Sequence, residues 1–245
     1  MIKKRKLLFV LGTRPEVIKL APLIKLIRDK EVFDVFVCST GQHREMLKQT
    51  LAVFDLIADI DLDLMASNQT LSGFTSRALM SIDGVFKSIN PDAVIVQGDT
   101  TTTFVASLVS FYWKIPVAHV EAGLRTYNKF SPFPEEINRK MTGAIADWHF
   151  SPTETAKKAL LKEGVDSKNV WVTGNTVVDA IEFVMNASLE MPKEEFSDFP
   201  DPIINSLFSN TKSDLILVTT HRRENFGEGL SNICEAIHAL ALEFT

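Results

Sequence analysis

Three acidic residues stand just behind apolar runs or at a helix start. Asp99 closes "PDAVIVQGD", Glu121 closes "IPVAHVE", and Glu135 follows Pro134, 14 residues after Glu121. A carboxylate can take a proton or return one, and several around one substrate suit proton transfer. Cations accompany them. Arg14 lies in "GTRPE", where Pro15 suits a first helical position and free N–H groups favour an anion. Lys19 follows Pro15 by four, on the same helical face. His221, Arg222 and Arg223 follow a later apolar run in "TTHRREN", a good seat for a phosphate group. Carboxylates beside an anion site point to proton transfer on a phosphorylated or nucleotide-linked substrate. Each residue also has a plain structural reading. Asp99 and the four threonines after it fit a helix cap. Glu135 and Glu136 fit the positive end of a helix dipole, Lys19 an exposed position, and the basic triplet a solvated loop. His119 falls inside a strand pattern and reads as a core histidine or one supporting the site.

The elements that must carry these residues alternate regularly. Apolar runs at 6–12, 33–40, 91–98, 115–121, 147–152 and 169–175 read as strands. Stretches with helical spacing lie at 15–30, 44–54, 70–90, 101–114, 135–147, 153–163 and 176–188. Near-continuous apolar strands between amphipathic helices predict an α/β protein with a Rossmann-like, doubly wound parallel sheet covered on both faces. Ligands of such sheets bind at the carboxyl ends of the strands, where the candidates cluster. The expected first domain is 1–188. The stretch 189–213, rich in proline, charge and serine, reads as a boundary segment. At 214–245 strand, loop and helix begin again, and one β-α unit cannot bury its own faces. It reads as the start of a truncated second Rossmann-like domain.

Composition narrows the field. Of 245 residues, 45 % are apolar and 23 % charged, as in a soluble globular protein. A net charge of −5 gives no general attraction to nucleic acid or an anionic membrane. The two cysteines, Cys38 and Cys234, form no motif; Cys38 reads as a buried strand residue, and a cytoplasmic setting fits. No secretory signal or membrane-spanning run is recognised. The dinucleotide pattern G-x-G-x-x-G, the P-loop, metal-ligand spacing and the G-x-S-x-G nucleophile turn are all missing. No metal and no cofactor is expected.

Taken as an ordered set, "GTRPE", "VQGDTTT", "HVEAGLRT", "PFPEEINR", "TGN" and "THRREN" closely resemble the non-hydrolysing bacterial UDP-N-acetylglucosamine 2-epimerases, from Leu8 to Gly227. The resemblance implies a GT-B type two-domain architecture with the site in the cleft. It implies interconversion of UDP-GlcNAc and UDP-ManNAc for polysaccharide precursors, by elimination of UDP to 2-acetamidoglucal and re-addition. It implies a homodimer that needs neither metal nor nicotinamide. Carried over by position, Asp99, Glu121 and Glu135 are the acid/base candidates, and His221 is a further catalytic candidate. Arg14, Lys19 and Arg222 are expected to bind substrate, with Arg14, Lys19 and His221 near the diphosphate. "GQHREM" resembles part of an activator site for UDP-GlcNAc, which makes Gln42, His43 and Arg77 allosteric candidates. Relatives run well past residue 245, so this chain alone is expected not to turn over substrate. Three alternatives stand: an epimerase for a modified UDP-sugar such as a 2,3-diacetamido uronic acid, a GT-B glycosyltransferase, or a non-catalytic nucleotide-sugar sensor.

Overall fold

A computed structural model describes residues 3–41, 44–66, 68–190, 218 and 227–243. The chain divides into two compact units, Met1–Glu190 and Met191–Thr245. The first unit alternates strand and helix: β1 (Arg5–Leu11), α1 (Arg14–Asp29), β2 (Phe33–Ser39), α2 (Arg44–Val53), β3 (Ile60–Asp61), α3 (Leu71–Ile89), β4 (Ala93–Gln97) and α4 (Thr101–Trp113). It continues with β5 (Val117–Val120), α5 (Glu135–Ile145), β6 (Trp148–Ser151), α6 (Glu154–Lys162), β7 (Val170–Val172) and α7 (Val177–Glu190). In the second unit, α8 (Glu228–Glu243) is described. The strand expected at its start lies outside the described residues.

Seven strands form one sheet in the order β3-β2-β1-β4-β5-β6-β7, every pairing parallel. This is the Rossmann-like, doubly wound sheet read from the alternation. Successive strand residues point to opposite faces, and both faces are covered. Leu8 and Val10 of β1, with Val94 and Val96 of β4, pack against Phe74, Ile82 and Phe86 of α3 and Val105 and Val109 of α4. Phe9 and Leu11, one residue out of step, pack with Ile95 against Val17, Leu20 and Ile24 of α1 and Leu51 of α2. Burying each such side chain fully stabilises by about 1.5–3 kcal/mol. Cys38 is fully buried in β2, and His119 is buried in β5.

Two edges differ from the sequence reading. β3 escapes it, because two residues, paired as Cys38↔Ile60 and Ser39↔Asp61, are too few to show a period. β7 is three residues rather than seven, ending with the last pair to β6, Ser151↔Val172, and Trp171 and Val172 are exposed at that edge. Among the described residues, no helix is long and apolar enough to cross a membrane.

Candidate active site

The chain runs outward from β1 through β2 to β3 and then returns to β4 on the other side of β1. At such a switch point the turns beyond the strand ends part and leave a crevice. Here a cavity of about 400 Å3 opens, and its walls include Thr13, Lys19, Gln97, Asp99, Glu121 and Glu135. Small-molecule pockets run from about 300 to 1,000 Å3.

Asp99 follows β4 directly. It does not cap α4: Thr100 is the N-cap, its hydroxyl accepting from the Thr103 amide at 3.1 Å. Asp99 is left to face the cavity. Arg139 of α5 donates to its carboxylate, and Asn138 donates to its carbonyl at 3.0 Å. Burial holds the Asp99 carboxyl above the ordinary aspartate range; Arg139 opposes this, and the charges of Glu135 and Glu121 add to it. A carboxyl so placed keeps a proton more readily than an exposed aspartate does.

Glu121 leaves β5 in the left-handed region, at φ +63°. That conformation costs a residue with a β-carbon roughly 1–2 kcal/mol, and it turns the side chain toward the cavity rather than along the strand. Gly123 behind it has no room for a side chain: a β-carbon there would lie 2.3 Å from the Ala156 carbonyl. The Glu121 carboxylate accepts from Lys19 Nζ at 2.7 and 2.6 Å, from Gln97 Nε2, and from Asn175 Nδ2 at 3.1 Å. Lys19 is therefore paired with a carboxylate here, not shared with Arg14 around an anion. Arg14 is exposed and lines a separate apolar cleft with Ile18, Phe54 and Met185. Its side chain thus departs from the carboxylates that the sequence reading set beside it.

The two glutamates at the start of α5 divide their work. Glu135, half-buried after the N-cap Pro134, lies on the cavity wall. Glu136 is fully buried and accepts from the amides of Thr126 and Tyr127 at 3.0 and 2.9 Å. Burial works to raise its pKa, but those two bonds and Arg139 outweigh it and the net shift is downward. Glu136 thus ties the charged loop 121–134 to α5, while Glu135 faces the cavity. Both X–Pro bonds of that loop, Ser131–Pro132 and Phe133–Pro134, are cis.

The structure adds a residue that the sequence reading passed over. Glu16 is 1 % exposed. Its Oε2 accepts from the amides of Gly12 and Thr13 at 2.9 and 2.7 Å and from Thr13 Oγ1 at 2.8 Å. Its Oε1 accepts from Thr100 Oγ1 at 2.7 Å and Thr103 Oγ1 at 3.0 Å. The two amides just ahead of α1, Gly12 and Thr13, are thus held by an internal anion. Gly12 allows the close approach, since a β-carbon would lie 2.3 Å from Thr40 Oγ1. The T-x-x-E spacing of Thr13 and Glu16 is a capping-box signature and was the available signal. Gln97, a polar residue ending an apolar strand, was another. Arg139, four residues after Glu135 and so on its helical face, was a third. Asn175, held only by the fold beside Glu121, gives none beyond its place in "TGN".

His221, Arg222, Gln42 and His43 lie outside the described residues. Arg77 donates to Gln69 Oε1 at 2.6 Å and to the Leu64 carbonyl at 3.2 Å, and so holds the loop before α3. Among the described residues, no group of three or more His, Cys, Asp or Glu is arranged to hold a metal ion. The cavity sets four carboxylates around a space the size of a small polar ligand: Glu16, held by its own amides and hydroxyls, Glu121 beside a lysine, Asp99 beside an arginine, and Glu135.

Fold and site together define a Rossmann-like α/β unit with a carboxylate-lined cavity at its switch point. A model of the UDP-N-acetylglucosamine 2-epimerase family matches residues 25–245, and the chain belongs to that family. It is 47 % identical over 243 residues to the UDP-N-acetylglucosamine 2-epimerase of Bacillus subtilis, covering 99 % of this chain and 60 % of the relative. A solved structure of the Neisseria meningitidis UDP-GlcNAc 2-epimerase bound to UDP-GlcNAc superposes with a TM-score of 0.84 at 47 % identity, covering 98 % of this chain and 63 % of that one. A Methanocaldococcus jannaschii UDP-GlcNAc 2-epimerase in complex with UDP-GlcNAc and UDP gives a TM-score of 0.76 at 36 % identity, covering 96 % and 62 %. The chain spans about three fifths of the length of the curated relatives it matches.

Proposed function

We propose that the full-length protein interconverts UDP-N-acetylglucosamine and UDP-N-acetylmannosamine by inverting C2. The observation that carries this reading is the meeting of Asp99, Glu121 and Glu135 around one cavity at the switch point. Family membership supplies the substrate class. In the proposed route a base removes the weakly acidic C2 hydrogen as UDP departs, leaving 2-acetamidoglucal. A proton then returns to the opposite face as UDP adds back. The three carboxylates share the acid and base roles. Asp99 suits the acid role in one direction, because burial favours its protonated form. Lys19 holds Glu121 until a diphosphate competes for its charge. Lys19, His221 and Arg222 stabilise the negative charge that builds on the departing oxygens, and Arg14 joins them when its side chain turns from the neighbouring apolar cleft toward the diphosphate.

The reading also includes a first domain at 1–188, a boundary segment at 189–213 and a second Rossmann-like domain from 214 onward, in GT-B arrangement. It includes a homodimer in the cytoplasm, and Gln42, His43 and Arg77 as contacts for an activating UDP-GlcNAc.

Incubating the full-length protein with UDP-GlcNAc in heavy water tests the proposal. Deuterium should enter C2 and UDP-ManNAc should accumulate to equilibrium. Binding with no exchange at C2 would make the protein a sensor or a transferase. Exchange only with a modified UDP-sugar would move the substrate to that class.

A further inference from the structure

The described residues contain five buried side-chain polar atoms with no hydrogen-bond partner: His119 Nδ1, Arg139 Nε, Thr142 Oγ1, His149 Nδ1 and Ser151 Oγ. Buried polar groups nearly always have partners, so each orphan calls for an explanation. These five are not scattered. His119 and His149 are register partners on adjacent strands, and Ser151 lies two residues beyond His149. All three therefore point to one face of the sheet. It is the face of Val117, whose apolar cluster Ile145 of α5 packs against. Arg139 and Thr142 are buried on α5 three residues apart, on its inward side. The orphans thus share one layer, between α5 and the β5–β6 pair.

Their chemistry is complementary. His119 Nε2 lies 2.7 Å from the Gly98 carbonyl, which can only accept. That nitrogen carries the hydrogen, and burial keeps the ring neutral, so Nδ1 presents a lone pair. Arg139 Nε presents an N–H. The two hydroxyls can do either. A donor and an acceptor separated by more than contact distance in a polar layer are what a buried water joins, and such waters typically make about three hydrogen bonds.

His119 and Arg139 also converge on one place. His119 holds the Gly98 carbonyl, Asn138 the Asp99 carbonyl and Arg139 the Asp99 carboxylate. Three groups from β5 and α5 grip the turn that carries a proposed acid/base residue. We propose that His119 is a positioning residue for Asp99, and that buried water bridges His119 Nδ1 to Arg139 Nε, joining the two sides of that grip. This rests on the reading of Asp99 as an acid/base group.

The test has three arms in the full-length protein. In a crystal structure at a resolution that shows water, an ordered water should lie within hydrogen-bond distance of both His119 Nδ1 and Arg139 Nε. A dry layer, or a water touching only one of them, overturns the bridge. H119F should lower kcat for C2 exchange about 10- to 100-fold with KM within about twofold, while H119Q, which can still donate to Gly98, recovers much of the loss. Wild-type kcat in H119F, or equal losses in both variants, overturns the positioning role. If H119F does not fold, the wild-type water and H119Q still decide. D99N separates this inference from its parent: wild-type exchange in D99N sinks the role of Asp99 itself, whatever the water does.

Discussion

Glu16 and Glu121 border the same cavity and carry the same carboxylate, but their surroundings differ in kind. Glu16 accepts five hydrogen bonds, two from backbone amides and three from threonine hydroxyls. None of those donors is charged, and all are fixed to the β1–α1 and β4–α4 turns. Glu121 is met by one cation and two side-chain amides. Its cation, Lys19, is 22 % exposed and sits on a long flexible stem. An immobile neutral shell makes a carboxylate part of the frame. A charged partner on a flexible stem keeps one available, since in the proposed reaction the diphosphate competes for the lysine. Charge alone does not separate the two residues; the deeper burial of Glu16 and the kind of partner each one has do.

The largest expected effect tests that contrast through activity. In the full-length protein, E121Q should lower C2 exchange roughly 100- to 10,000-fold, the usual contribution of a general acid or base, while the urea midpoint barely moves. E16Q keeps an acceptor for the two amides and should retain most of the exchange. Equal losses of exchange in the two variants, with stability unchanged, would erase the distinction. Next in size is E16L. It strips the acceptor from two amides and three hydroxyls in the core of the switch point and should destabilise by about 3 kcal/mol or more. Urea unfolding monitored by circular dichroism measures this; a cost below about 1 kcal/mol would show Glu16 to be dispensable.

That frame explains what could be read in the sequence. The parallel sheet was legible because β1, β2, β4 and β5 are continuous apolar runs, and the helices between them have clear periods. Asp99, Glu121 and Glu135 were legible because each stands where an apolar run stops or a helix begins. Partners were not, since they are set by folding: Lys19 meets Glu121 across 102 positions, Glu16 meets Thr100 across 84, and Arg139 meets Asp99 across 40. The turn at α1 hid a partner for a related reason. The Gly12 and Thr13 amides just ahead of the helix are held by Glu16, two residues along the chain from Arg14. Orientation was also hidden. Arg14 and Lys19 belong to one helix, yet Lys19 faces the carboxylates and Arg14 the apolar cleft.

A third buried titratable group, His119, sharpens the contrast through pH. Burial, with His149, Arg125 and Arg139 nearby, pushes its pKa from 6.5 down to about 3. Below pH 6.5 the unfolded chain takes a proton that the folded chain refuses, so this contribution to stability is whole at pH 7 and shrinks as pH falls. Between pH 7 and pH 5 the loss should be about 2 kcal/mol. Glu16 and Asp99 have raised pKa values, so they act in the opposite sense, and the comparison must be made between wild type and H119Q. The variant should lack this share of the acid-side loss, while the share of His149, whose pKa burial also lowers, stays in both proteins. Identical pH slopes in the two proteins would place the His119 ring in a far more solvated setting than this one.

The smallest effect probes the shell of Glu16 itself. Thr100 Oγ1 donates to Glu16 Oε1 and also accepts from the Thr103 amide as the cap of α4. T100A should cost about 1 kcal/mol through the lost cap alone. If the threonine shell and Glu16 act as a unit, T100A and E16Q will not add. Their double-mutant cycle should give a coupling of at least about 0.5 kcal/mol. The same cycle between T100A and E121Q should give almost none, because Thr100 makes no hydrogen bond to the Glu121 carboxylate. Additivity in the first cycle, or matching coupling in both, would mean that the cavity is one polar network rather than a rigid frame around a mobile acid–base set.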